Sequence, residues 1–85
     1  MTRVIMYCTA SCPYCDRARR LLDHKGVPWE EIRVDLEPHR RSEMESRSGR
    51  TSVPQIFIDD FHVGGYDDMA ALDSEQRLDA LLGRN

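Results

Sequence analysis

Eighty-five residues, 40% hydrophobic and 32% charged, read as one small domain over 1–85, too apolar for a disordered chain. No apolar run approaches the roughly 20 residues of a membrane span, and residues 1–7 lack the basic, apolar and small-residue regions of a secretory leader. Twelve Lys and Arg against 15 Asp and Glu leave a net charge of −3, which argues against a general nucleic-acid binder.

Arg3, Val4, Ile5, Met6 and Tyr7 read as a short strand, β-branched and aromatic in content. A small-residue turn over 9–15 follows, and residues 16–25 read as a helix. Cys15, Ala18 and Leu22 recur at helical spacing on one face, with Leu21 beside them. Pro13 suits the first turn of that helix, where its missing N–H leaves nothing unpaired, and Gly26 suits its stop. Val27-Pro28 leads into a second strand over 29–34. Pro38 opens a second helix to about residue 47, ended near Gly49. Gln55-Ile56-Phe57-Ile58 is a third strand, and Asp59-Asp60 turns it into Phe61-His62-Val63. After Gly64-Gly65, Tyr66-Asp67-Asp68 begins a third helix with Leu72, Leu78, Leu81 and Leu82 on its apolar side and a break expected at Asp73-Ser74. Trp29, Phe57 and Phe61 read as core or sheet-face packing, and Met6, Met44 and Met69 as gap-filling apolar residues.

The order is β-α-β-α-β-β-α, an α/β chain. The opening β-α-β implies a right-handed parallel crossover, to which the hairpin adds an antiparallel edge. The mixed-charge stretch over 37–50 reads as a solvated helix face.

Three cysteines are an odd count and no disulfide framework, which points to the reducing cytoplasm. Cys12-Pro13-Tyr14-Cys15 is a C-x-x-C at a strand-to-helix junction inside a β-α-β unit, the context of a redox-active dithiol. Cys12 stands just before a helix, where free N–H groups and the positive dipole end stabilise the thiolate, the reactive form. Cys15, one turn in and on the apolar face, reads as a shielded resolving thiol. A structural zinc site needs two further ligands at regular spacing, which Cys8, His24, His39 and His62 do not supply. Cys8 itself reads either as a small buried hydrophobe or as a regulatory thiol.

Cys12-Pro13-Tyr14-Cys15, then Arg50-Thr51-Ser52-Val53-Pro54-Gln55-Ile56-Phe57-Ile58, then Gly64-Gly65-Tyr66-Asp67-Asp68 stand in order, and with them nearly the whole chain resembles the small bacterial dithiol glutaredoxins. The resemblance implies a thioredoxin-like fold, a central four-stranded mixed sheet flanked by helices, and glutathione-dependent thiol–disulfide exchange by Cys12 and Cys15. It implies no tightly bound cofactor, with glutathione as cosubstrate. Expected partners are glutathione and disulfide-bearing or glutathionylated proteins, with no nucleic acid, no membrane and a monomeric state.

The resemblance also implies that Val53-Pro54 holds a cis proline facing the active cysteine, with the Val53 main chain free to pair with a glutathione-like peptide. Gly65, Tyr66, Asp67 and Asp68 then bind its γ-glutamyl end: helix-start N–H groups take the carboxylate and an Asp takes the ammonium. A simpler reading of both Asp residues is helix capping. Tyr14 lines the same site. Arg41, or else Arg40 or Arg50, meets the glycine carboxylate. Many relatives carry Lys where this chain has Thr9, which leaves the helix terminus with more of the thiolate stabilisation. Two alternatives share the dithiol: a redoxin fed directly by an NADPH-dependent reductase, and a protein bridging an iron–sulfur cluster through Cys12 and glutathione. The Gly64–Asp68 motif speaks against the first and Pro13 against the second.

Overall fold

In the computed structural model, which describes residues 2–83, the alternation at the start of the chain becomes β1 (Val4–Cys8), the second of four strands across a mixed sheet. The elements that follow are α1 (Pro13–His24), β2 (Glu30–Arg33), α2 (Pro38–Ser48), β3 (Gln55–Ile58), β4 (Phe61–Gly64), α3 (Tyr66–Ser74) and α4 (Leu78–Leu81). The strand order is β2-β1-β3-β4. β1 pairs parallel with β2 and antiparallel with β3, with Tyr7 opposite Ile32 on one side and Gln55 on the other. β3 pairs antiparallel with β4, and its register shifts between Ile56 and Phe57. This is the thioredoxin-like architecture that the resemblance implies. Met1, Arg84 and Asn85, included in the expected 1–85 domain, lie outside the described residues.

Period-two alternation along the strands sends side chains to both faces of the sheet. Val4, Met6, Cys8, Ile56, Ile58 and Val63 meet Cys15, Ala18 and Leu22 of α1 and Met69, Leu78 and Leu82 from the C-terminal helices. On the opposite face Tyr7, Ile32 and Phe57 pack with Val34 and with Met44 of α2. The three methionines expected to fill the core are fully buried.

Boundaries shift where local hydrogen bonding differs from the periodic pattern. α1 starts at Pro13, three residues before the expected Asp16, because the Cys12 sulfur serves as the cap and accepts the Cys15 N–H. The break expected at Asp73-Ser74 falls later: the Glu75 N–H still bonds the Ala71 carbonyl at 3.0 Å, and the chain turns at Gln76, whose φ is +61°. Phe61, expected to pack, is 49% exposed at the start of the edge strand β4. No helix among the described residues is long and apolar enough to cross a membrane.

Candidate active site

β1 delivers the chain to the head of α1, and Cys12 caps that helix with extended backbone (φ −125°, ψ 112°). Its Sγ accepts the Cys15 N–H at 3.3 Å. As a thiol the same sulfur points a donor at the Val53 carbonyl, 3.8 Å away. The Cys15 N–H at the head of α1 is thus aimed at the sulfur on which a thiolate charge would sit. Cys12 is half-buried while Cys15 is fully buried under the helix. Burial pushes the Cys15 thiol up to about 12, with the neighbouring Cys12 reinforcing the rise and the Thr9 backbone opposing it. The pair is therefore asymmetric, with one accessible sulfur and one protonated reserve.

Across from Cys12 runs the segment between α2 and β3. The Val53–Pro54 peptide is cis. A groove of about 240 Å³ is lined by Tyr14, Arg50, Ser52, Val53, Pro54, Gly65, Tyr66, Asp67 and Asp68. The far wall is the start of α3. There Asp68 Oδ2 reaches back to the Gly65 N–H at 2.9 Å and meets Arg50 Nη1 at 2.8 Å. The Arg50 bond, and then the Gly65 N–H, hold the Asp68 carboxyl below the usual carboxylate range. Asp67 is exposed beside it. Gly64 has φ +114°, and a side chain there would run into this carboxylate. Tyr14 is 49% exposed, and Arg17 lies over its ring at 5.1 Å.

Tyr14, Val53, Pro54, Gly65, Tyr66, Asp67 and Asp68 thus come together around one groove. Arg41 does not line it: its guanidinium donates to the Thr51 carbonyl at 3.0 Å. Of the three arginines named for the carboxylate role, Arg50 stands in the wall. The Thr9 carbonyl accepts from Arg19 Nη2 at 3.2 Å, and Arg19 is paired with Glu31 at 2.9 Å. Cys8 is fully buried, and burial pushes its thiol up to about 11, with Glu31 adding to the rise. That environment matches the small-hydrophobe reading. Ser52 in the lining and buried Gln55 behind it were not among the expected site residues. A lone polar residue in the apolar run of β3 was the available signal.

Comparison with known proteins agrees with the geometry. Residues 4–63 match the family model described as Glutaredoxin. The chain is 52% identical over 82 residues to Glutaredoxin 3 of Escherichia coli strain K12, covering 96% of this chain and 99% of that one. It is 51% identical to the glutaredoxin of Brucella melitensis, whose solution structure superposes with a TM-score of 0.85 over 96% of this chain and 89% of that one. The buckwheat glutaredoxin–glutathione complex, at 25% identity, superposes with a TM-score of 0.90 over 96% of this chain and 77% of its own.

Proposed function

The chain belongs to the glutaredoxin family, and from that premise we propose that Cys12 and Cys15 carry its glutathione-dependent disulfide reduction, with the groove beside them holding glutathione. The observation that carries this reading is the Cys12 sulfur at the head of α1, within 3.3 Å of a helix N–H and facing the Val53 main chain. On a glutathionylated protein, the Cys12 thiolate attacks the glutathionyl sulfur. A Cys12–glutathione disulfide forms, and the target sulfur leaves and takes up a proton. A second glutathione, as thiolate, attacks that glutathionyl sulfur, releasing oxidised glutathione and the Cys12 thiolate.

On a protein disulfide, Cys12 bonds one target sulfur and the other leaves. Cys15 then attacks Cys12 Sγ, its proton passing to the departing target thiolate, and the Cys12–Cys15 disulfide remains for two glutathiones to reduce. Burial of Cys15 keeps it protonated until that step.

Tyr14, Val53, Pro54, Gly65, Tyr66, Asp67 and Asp68 are the proposed glutathione contacts, with Arg50 in place of Arg41 for a ligand carboxylate. The N–H groups at the start of α3 suit the γ-glutamyl carboxylate, and Asp67 or Asp68 the ammonium. Support for the ligand comes from the buckwheat relative, solved as a glutathione complex. The proposal extends to a single monomeric domain that acts on protein disulfides and glutathione mixed disulfides in the cytoplasm and needs no resident cofactor.

The test is turnover coupled to glutathione reductase, run beside turnover coupled to thioredoxin reductase, for the natural chain and for Asp67→Asn with Asp68→Asn. Hydrogen bonds to charged groups contribute about 1.5–3 kcal/mol, so the double variant should lose roughly tenfold to a hundredfold of glutathione turnover. It should retain turnover with dithiothreitol, which has no γ-glutamyl group. Activity of the natural chain with thioredoxin reductase alone would sink the reading.

A further inference from the structure

Among the described residues, Gln55 is the one fully buried side chain that carries an amide or a charged group. It opens β3, whose other residues, Ile56, Phe57 and Ile58, are apolar. Burying an amide is unfavourable unless both ends are paired, and Leu or Met has a similar volume without that demand. Here both ends are paired. Gln55 Nε2 donates to the Ser52 carbonyl at 2.9 Å, with Ser52 Oγ at 3.4 Å. Gln55 Oε1 lies 2.7 Å from His62 Nε2. A carbonyl oxygen only accepts, so with the amide in this orientation the His62 nitrogen is the donor, and turning the amide over would set its oxygen against the Ser52 carbonyl. The His62 ring is in turn stacked on Phe57, centroid to centroid 4.8 Å.

What this amide grips belongs to a segment held by side chains rather than by backbone hydrogen bonds. Among the described residues, no turn or loop hydrogen bond between backbone groups involves 50–54. The carbonyls of that segment go to side chains: Thr51 to Arg41, Ser52 to Gln55, Val53 to Cys12. Pro54 has no N–H to offer. Yet Ser52, Val53 and Pro54 form one wall of the groove. We propose that Gln55 is a positioning residue for glutathione: braced by His62, its amide holds the Ser52 carbonyl and so fixes the main-chain N–H and C=O of Val53 that meet the ligand. Gln55 is buried and touches no ligand itself. The inference rests on the glutathione reading of the groove.

The experiment compares Gln55→Leu, His62→Phe, the double variant and Leu82→Ala in the full chain. His62→Phe keeps a ring on Phe57 and removes only the donor to Gln55. Losing one neutral hydrogen bond from a positioning chain should raise the KM for glutathione about threefold to tenfold in each single variant. The double variant should match Gln55→Leu, since both act through the Ser52 carbonyl. Dithiothreitol turnover should stay within about twofold of the natural chain, and the Ser52 and Val53 amide resonances should move in both single variants. Leu82→Ala, a core truncation away from the groove, should lower Tm and leave the KM unchanged. If Gln55→Leu does not fold, His62→Phe alone decides. A His62→Phe chain with lowered Tm and unchanged KM makes the pair a packing feature and overturns the inference. A natural chain with no glutathione turnover overturns the glutathione reading and this inference with it.

Discussion

The three thiols share one chemistry and differ by environment. Cys12 is half-buried with a helix N–H on its sulfur, while Cys15 and Cys8 have no exposed surface. Burial first, and then neighbouring groups, push Cys15 up to about 12 and Cys8 up to about 11, above the ordinary thiol range. The sign follows from which form reacts. A raised value keeps the thiol protonated, hence unreactive, until the pH approaches that value, and only then does thiolate form. Native-state alkylation followed by mass spectrometry should therefore place the first label on Cys12 throughout pH 6 to 9, with Cys15 and Cys8 labelled only at higher pH or in denaturant. Cys12→Ser should lose all exchange activity while keeping both remaining thiols protected. Early labelling of Cys15 in a folded chain would reverse the nucleophile assignment.

At the scale of elements, the groove depends on how β4 hands over to α3. Gly64 has φ +114°, and a Cβ there would fall 2.3 Å from Asp68 Oδ2. That oxygen serves the Gly65 N–H and Arg50, so it can yield only by giving up those bonds. Gly64→Ala should cost about 1–3 kcal/mol in backbone strain and displace Asp68 from the helix start, raising the KM for glutathione. Gly49, at the C-terminus of α2 with φ +71° and nothing within 4 Å of its Cβ position, supplies the contrast. Gly49→Ala should lose about 1–2 kcal/mol of stability with glutathione use unchanged. Urea unfolding and the coupled assay measure both quantities, and equal KM values for the two variants would remove Asp68 from the site.

Much of this arrangement was legible beforehand. The stripe Cys15, Ala18, Leu22 gave the buried face of α1, and Gly64-Gly65 before Tyr66-Asp67-Asp68 gave the strand-to-helix handover. The residues that escaped are those whose roles depend on distant partners. Arg41 is one of several arginines on a charged helix, and only the fold shows it reaching the Thr51 carbonyl rather than the groove. Phe61 has a core-like side chain on a strand whose edge position is a tertiary fact. Gln55 stands beside the proline motif, but the carbonyl it holds could not be read without the turn between them.

Across the whole molecule the two faces of the sheet are unequal. The face under α1, α3 and α4 is a continuous apolar cluster running from Val4 to Leu82. The other face has Tyr7, Ile32, Val34, Phe57 and Met44, and among the described residues α2 buries Met44 alone. The rest of the attachment of α2 is polar: Glu43 bonds the Tyr7 hydroxyl, Arg47 donates to the same oxygen at 2.9 Å and lies 4.1 Å from the Phe57 centroid, and Arg41 holds Thr51. Exposed or half-exposed charged contacts of this kind contribute at most about 1 kcal/mol each, whereas a buried Leu or Met contributes about 1.5–3 kcal/mol. α2 should therefore open locally before the sheet and α1 do, and native-state hydrogen exchange should find its amides at a lower opening free energy than those of β3. Opening α2 withdraws Arg41 from the Thr51 carbonyl and loosens the wall of the groove. Any ligand that requires that wall must then oppose the opening by mass action. Saturating glutathione should slow exchange in α2 while leaving the amide of Thr2, outside every helix and strand, as it was. α2 amides as slow as those of β3 without ligand, or unmoved when glutathione is bound, would mean that the helix and the groove are not coupled.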